Sequence, residues 1–143
     1  MSTFATNVEV APVSANEAAP RRYKSDCLFC KIAQGHIPSR KVYEDDDMLA
    51  FHDIHPAAPV HFLIIPKLHV DNLYDADLKH QALLGKMFGM AGQLARQEGC
   101  NNGFRTVINN GVVGRQEVYH LHIHVTGGDQ PLGSRQAGTK SAE

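Results

Sequence analysis

The chain has no tryptophan, only three cysteines, and no apolar run near the roughly 20 residues that a bilayer-crossing helix needs. No membrane span or membrane partner is expected. An excess of positive charge is also missing, since the formal net charge of the 143 residues is −1. A general nucleic-acid binder requires a basic field to neutralise phosphates, so that class is disfavoured, while a small anion could still be held locally. The first twenty residues carry Glu9 and Glu17 but no Lys or Arg. Signal and transit peptides begin with positive charge, so neither is expected, and the expectation is a cytoplasmic protein with room for a nuclear share. Cys27, Cys30 and Cys100 are an odd number with two packed into Cys-x-x-Cys. That pattern suits a reducing compartment with a metal or redox site better than a disulfide framework. Against these shortages stand nine histidines, which direct attention to imidazole chemistry.

The length and an ordinary globular composition predict one domain. Residues 1–25 and 133–143 are small and polar without helical or strand periodicity, and read as tails around a domain at 26–132. Within it, Leu28, Phe29 and Ile32 recur at helical spacing, and Gly35 stands where a short helix over Cys27 to Gln34 would stop. Lys41 to Tyr43 and Met48 to Asp53 read as a hairpin joined by the acidic run Glu44 to Asp47. His61 to Ile65 is an apolar strand that Pro66 ends. From Asp77 to Glu98 one stripe of Leu84, Met87, Phe88, Ala91, Leu94 and Ala95 predicts the main helix, with Gly85, Gly89 and Gly92 leaving room for another backbone or simply tolerated. Strands over Arg105 to Asn109 and Val118 to Thr126 complete an α+β domain with a largely antiparallel sheet.

Tyr119-His120-Leu121-His122-Ile123-His124-Val125 alternates throughout. On a strand, His120, His122 and His124 would share one face, about 7 Å apart, while Tyr119, Leu121, Ile123 and Val125 enter the core. Neutral imidazoles in such a row suit metal binding and contact with a substrate.

His120-Leu121-His122-Ile123-His124-Val125-Thr126 resembles the His-φ-His-φ-His-φ-φ signature of the histidine triad family, where φ is hydrophobic and Thr126 is a polar last position. The resemblance extends through Phe51-His52-Asp53-Ile54, His61 to Lys67, Asn109 and Gly114-Arg115-Gln116-Glu117-Val118, from about Cys27 to Gly128. It is greatest to the Hint branch, the purine nucleoside phosphoramidases, and implies a five-stranded sheet with one long and one short helix, assembled as a homodimer. It further implies that His122 attacks the α-phosphorus and forms a nucleotidyl-histidine that water hydrolyses, with no cofactor needed for catalysis. The tautomer of His122 would be held by a backbone carbonyl on its own strand. His124 would bind the phosphoryl group or protonate the leaving group, with His61 as a supporting polar residue.

By the same resemblance Asp53 takes the ribose hydroxyls, although by itself a strand-end Asp before Pro56 reads better as a turn cap. Leu28, Phe29, Ile32, Phe51, His52 and Ile54 would form the slot for the base. Asn109 and Gln116 would contact ribose and phosphate, in a loop where Gly111 and Gly114 let backbone amides approach the phosphate beside Arg115. Glu117 stands where better-known Hint proteins carry Ser, and an ionised carboxylate cannot donate. The Cys-x-x-Cys pair alone is open between metal, redox pair and chance, with two free thiols as the plain alternative. Resemblance to Hint proteins with this pair implies a structural zinc on Cys27, Cys30, His69 and His120. Other readings are a dinucleoside polyphosphate hydrolase, a nucleotide-binding scaffold, or a catalytic zinc on all three triad histidines. The transferase branch generally has His-Pro-His, unlike His120-Leu121-His122.

Overall fold

The computed structural model describes residues 23–134, so the expected tails lie outside it except for residues 23–25 and 133–134. A five-stranded sheet with strand order β1-β2-β3-β5-β4 organises the domain, and every pairing is antiparallel. The strands are β1 (Lys41–Glu44), β2 (Met48–His52), β3 (Val60–Pro66), β4 (Phe104–Val107) and β5 (Ile123–Gly127). Helix α1 (Leu28–Ala33) precedes them, and α2 (Gln81–Gln97) links β3 to β4. The Cys27 sulfur caps α1 by accepting from the Cys30 amide, and Gly35, at φ 82°, lets the chain leave the helix.

Strand alternation sorts the core onto two faces. Met48, Ala50, Phe62, Ile64, Ile123 and Val125 meet Leu83, Met87, Ala91, Leu94 and Ala95 of α2. Leu49, Phe51, Leu63 and Ile65 meet Phe29, Ile32 and Ala33 of α1 on the other face. The buried α2 stripe thus includes Leu83 and leaves out Phe88, which is exposed. The helix also begins later than its periodicity suggests. A 3-10 turn, Leu78–His80, comes first, capped by Asp77 in a reciprocal arrangement with His80. Among the described residues no backbone closes on the helical glycines: Gly85 and Gly89 have nothing near a Cβ position, and Gly92 faces the Phe104 ring.

The acidic turn anchors α2. Asp45 accepts from the Asp47 and Met48 amides and the Tyr43 hydroxyl, and Lys86 reaches both Asp45, at 2.6 Å, and Asp47, at 2.9 Å. Burial opposes ionisation of Asp45, but the bonds from Lys86, Tyr43 and the two amides outweigh it and bring the carboxyl down to about 2. A depressed carboxyl stabilises the fold above its unfolded value and loses that contribution as pH falls through the folded one. Asp45 should therefore contribute on the order of 2 kcal/mol above about pH 4, vanishing towards pH 2. Thermal melts between pH 2 and 5 should show a shallower acid slope for Asp45→Asn than for the parent, and identical slopes would refute the assignment.

The last strand departs furthest from its expected form. Its ladder begins at Ile123, paired with Ile64, so His120 and His122 lie just before it. Beyond Pro66 the partner strand ends, and the Leu121 amide bonds the Val70 carbonyl at 2.7 Å. A tight turn closed by the His120 amide on the Val118 carbonyl interrupts the alternation and leaves Tyr119 exposed, outside the core. Similarly β4 spans Phe104–Val107 and stops short of Asn109.

Candidate active site

His61 of β3 and His124 of β5 lie on the α1 face with Phe51, because they alternate with Phe62 and Val125 on the opposite face. His122 joins them from the segment just before β5. Its ring centroid is 4.9 Å from that of His124 and 5.1 Å from that of Phe29. The rings therefore converge more closely than the regular strand repeat would set them.

Each tautomer follows from a backbone partner. His122 Nδ1 is 2.7 Å from the His120 carbonyl oxygen, which can only accept. The proton is on Nδ1, and Nε2 carries the lone pair. Burial also holds the His122 imidazolium below its ordinary range, against the opposing charges of Asp53 and Glu117. His61 has the reverse arrangement. The Ala57 amide donates to its Nδ1 at 2.9 Å, so Nε2 bears the proton, 2.9 Å from His124 Nδ1 and 3.4 Å from the Asp53 carboxylate. Burial lowers the His61 pKa as well, with Asp53 partly offsetting it. His124 then accepts at Nδ1 and carries its own proton on Nε2.

His120 turns away from this row. Its Nε2 donates to the Pro66 carbonyl at 2.8 Å, leaving an Nδ1 lone pair aimed at Cys27 Sγ (3.3 Å), Cys30 Sγ (3.6 Å) and His69 Nδ1 (3.2 Å). His69 is arranged alike, with Nε2 2.6 Å from Asp71 and Nδ1 3.3 Å from Cys30 Sγ. Two imidazole lone pairs facing each other beside two thiol sulfurs make a donor set suited to a soft divalent cation. All four groups are buried and their ligand atoms lie within 4.8 Å of one another. Tetrahedral zinc with ordinary Zn–S and Zn–N lengths sets its ligand atoms about 3.3–3.8 Å apart, so the donor set fits. Burial, with Cys27 alongside, pushes the Cys30 thiol up to about 11, and burial takes His120 down to about 4. The Asp71–His69 bond orients the ligand in the manner of metal sites generally.

Comparison with known proteins bears on this arrangement. The family model described as HIT domain matches residues 34–131. The chain belongs to the HIT family. Protein HitA of Neisseria gonorrhoeae is 53% identical over 102 residues, covering 71% of this chain and 95% of that protein. A 14 kDa zinc-binding protein of Brassica juncea is 49% identical over 107 residues, covering 73% and 95%. Among solved structures, a HIT family hydrolase from Legionella pneumophila has a TM-score of 0.71 at 49% identity, covering 73% of this chain and 95% of that one. A histidine triad protein from Clostridium difficile has a TM-score of 0.74 at 43% identity, covering 78% and 98%.

In this HIT domain the other expected site residues divide. Phe29, Ile32 and Phe51 are buried together, with Phe29 edge-on to Phe51, whereas Leu28 and Ile54 are exposed at 45% and 85%. His52 does not join that slot. It follows Phe51 on β2 and so lies on the other face, 3.3 Å from Glu98. Asp53 turns the chain by accepting from the His55 amide through Oδ1, with Oδ2 towards His61. The Gln116 amide is occupied within its loop: it donates to the Asp71 and Val118 carbonyls and accepts from Asn72 and the Gly111 amide. It braces the loop in place of the expected phosphate contact. Gly114 is required by space, as a Cβ there would lie 2.5 Å from the Asn110 carbonyl oxygen. Arg115, at φ 62°, and Glu117 are exposed, and Asn109 is half-buried after β4. Asp71, Asn72 and the Ala57 amide were not foreseen. Only the position of Asp71, two residues after His69, offered any signal.

Proposed function

We propose that this HIT protein is a hydrolase of purine nucleoside phosphoramidates, of the Hint branch, with His122 as nucleophile. The observation that carries the reading is the 2.7 Å bond from His122 Nδ1 to the His120 carbonyl, which leaves Nε2 as a lone pair beside His124. Nε2 attacks the α-phosphorus as the P–N bond breaks. Positive charge develops on the ring and the Nδ1–H bond to the carbonyl strengthens. His124 Nε2–H gives its proton to the departing amine while its Nδ1 accepts from His61. Water then attacks the nucleotidyl-histidine and returns a proton to His124. Asp53 accepts from the ribose, the base lies against Phe29 and Phe51, and the amides of Val112 to Gly114 face the phosphate, the Gly111 amide being held by Gln116. The relatives named as hydrolases support the reaction class. Intact-mass spectrometry after brief mixing with an adenosine phosphoramidate should reveal an added AMP group that is absent from His122→Ala. No adduct under single-turnover conditions with product release would count against the covalent route.

Zinc on Cys27, Cys30, His69 and His120 belongs to this reading, supported by the opposed lone pairs and by the zinc-binding relative. Four protein ligands leave no open position, so zinc here supplies structure, and catalysis uses no cofactor. No helix among the described residues is long and apolar enough to cross a membrane, which suits the cytoplasmic setting we propose. A homodimer is also part of the proposal. Among the described residues strand β4 pairs with β5 alone, Phe104 exposes its ring beside Gly92 of α2, and Phe88 is exposed on the same helix. An open edge beside apolar surface favours pairing with a second copy. Light scattering at micromolar concentration should give twice 15.7 kDa, and a monomer would refute this.

A further inference from the structure

The face that carries His124 continues along β5 to Thr126. Thr126 stands opposite His61 on β3 and Arg105 on β4. Alternation places Thr126 and Arg105 on the His124 face, about 7 Å further along the strand. This direction matters for displacement at phosphorus, where the entering and leaving atoms lie roughly in line. With His122 entering on one side and His124 beside the phosphoryl group, a leaving group in line would extend over Thr126, between His61 and Arg105.

Arg105 is built into this position. Its Nη2 donates to the Gly133 carbonyl at 2.7 Å, which steadies the side chain while leaving other guanidinium donors. Among the described residues it makes no ion pair, although Asp129 lines the same cleft. That cleft, about 290 Å³ in volume, is bounded by Arg105, Gly127, Asp129, Pro131 and Leu132, and lies at the end of the β4–β5 pair. The charges that reach His122, from Asp53 and Glu117, are negative. Arg105 places a cation beside Thr126, on the strand neighbouring the histidine row.

Resting on the phosphoramidase reading above, we propose that Arg105 and this cleft form a leaving-group subsite that favours substrates whose leaving group carries an anion close to the scissile atom. A carboxylate on the amine and a phosphate share that chemistry.

The test compares three substrates: adenosine 5′-phosphoramidates of glycine and of glycine methyl ester, and ADP, whose leaving group is phosphate. For the parent, kcat/KM should favour the glycine conjugate over its neutral ester. Arg105→Gln should reduce that ratio at least about tenfold, as expected for loss of a charge-assisted hydrogen bond, and Arg105→Lys should restore most of it. A larger loss on ADP than on the glycine conjugate identifies phosphate as the preferred anion, and the reverse identifies carboxylate. Turnover with an unchanged ratio, or equal losses on charged and neutral conjugates, overturns the subsite alone and reduces Arg105 to a tether for Gly133. Absence of His122-dependent turnover on both conjugates overturns the phosphoramidase reading and the subsite with it.

Discussion

Replacing His122 with Ala should lower phosphoramidase turnover by at least three orders of magnitude, a loss of about 4 kcal/mol or more of transition-state stabilisation. The covalent route requires a lone pair at Nε2, and no neighbour supplies one in the same place. His124 Nδ1 accepts from His61, and His120 Nδ1 is turned to the thiols. AMP affinity should change little, because the base and ribose contacts proposed at Phe29, Phe51 and Asp53 remain. The expected signature is thus a collapse in kcat with a nearly unchanged dissociation constant for AMP. A variant that kept a tenth of the parent's activity would sink the nucleophile assignment. The melting curve of the same sample checks that the ring lost against Phe29 has not cost the fold.

Changing Cys27 and Cys30 together to Ser should abolish metal retention. Protein purified without chelator should carry near one zinc per chain, and the double variant almost none. The sulfurs of Cys27 and Cys30 and the imidazoles of His69 and His120 come from separated stretches of chain. A metal binding all four links them in the folded state only, so its binding energy is folding energy. The melting temperature should fall by about 10 °C or more, with a similar fall for the parent in excess chelator. Native thiols should resist a thiol reagent until the chelator is added. Substoichiometric zinc in the parent, or a melting temperature indifferent to chelator, would leave two free thiols as the correct description.

Local pattern revealed the elements whose partners are near in sequence. The β1–β2 hairpin follows from apolar runs around Glu44 to Asp47, and α1 from Leu28, Phe29 and Ile32 before Gly35. Strand order was less accessible, because β5 enters between β3 and β4 through pairings such as Phe62 with Val125 that no local signal encodes. The same non-locality hid the end of the β5 ladder. Unbroken alternation from Tyr119 to Val125 reads as one strand, yet the partner stops at Pro66 and the chain turns at Val118 to His120. Within the site, histidine spacing pointed to the row and Cys-x-x-Cys to the cluster. What each group bonds was harder to read. Gln116 satisfies four partners across a fold-back, and His52 lies across the sheet from Phe51 through strand parity.

The proton positions of the two rings flanking His124 are encoded in main chain, through the His120 carbonyl and the Ala57 amide. Side-chain replacement cannot remove the first, and among the standard residues only proline removes the second. A saturation scan of this domain would therefore register the histidines themselves and, proline at position 57 apart, pass over what orients them. Laboratory evolution meets the same blindness. Variants with altered acid–base behaviour should arise from insertions or deletions in the Asp53 to Pro59 loop, which move the Ala57 amide, sooner than from residue exchange around the rings. Exchanging the Ala57 amide for an ester by chemical synthesis would address that anchor directly, one atom at a time.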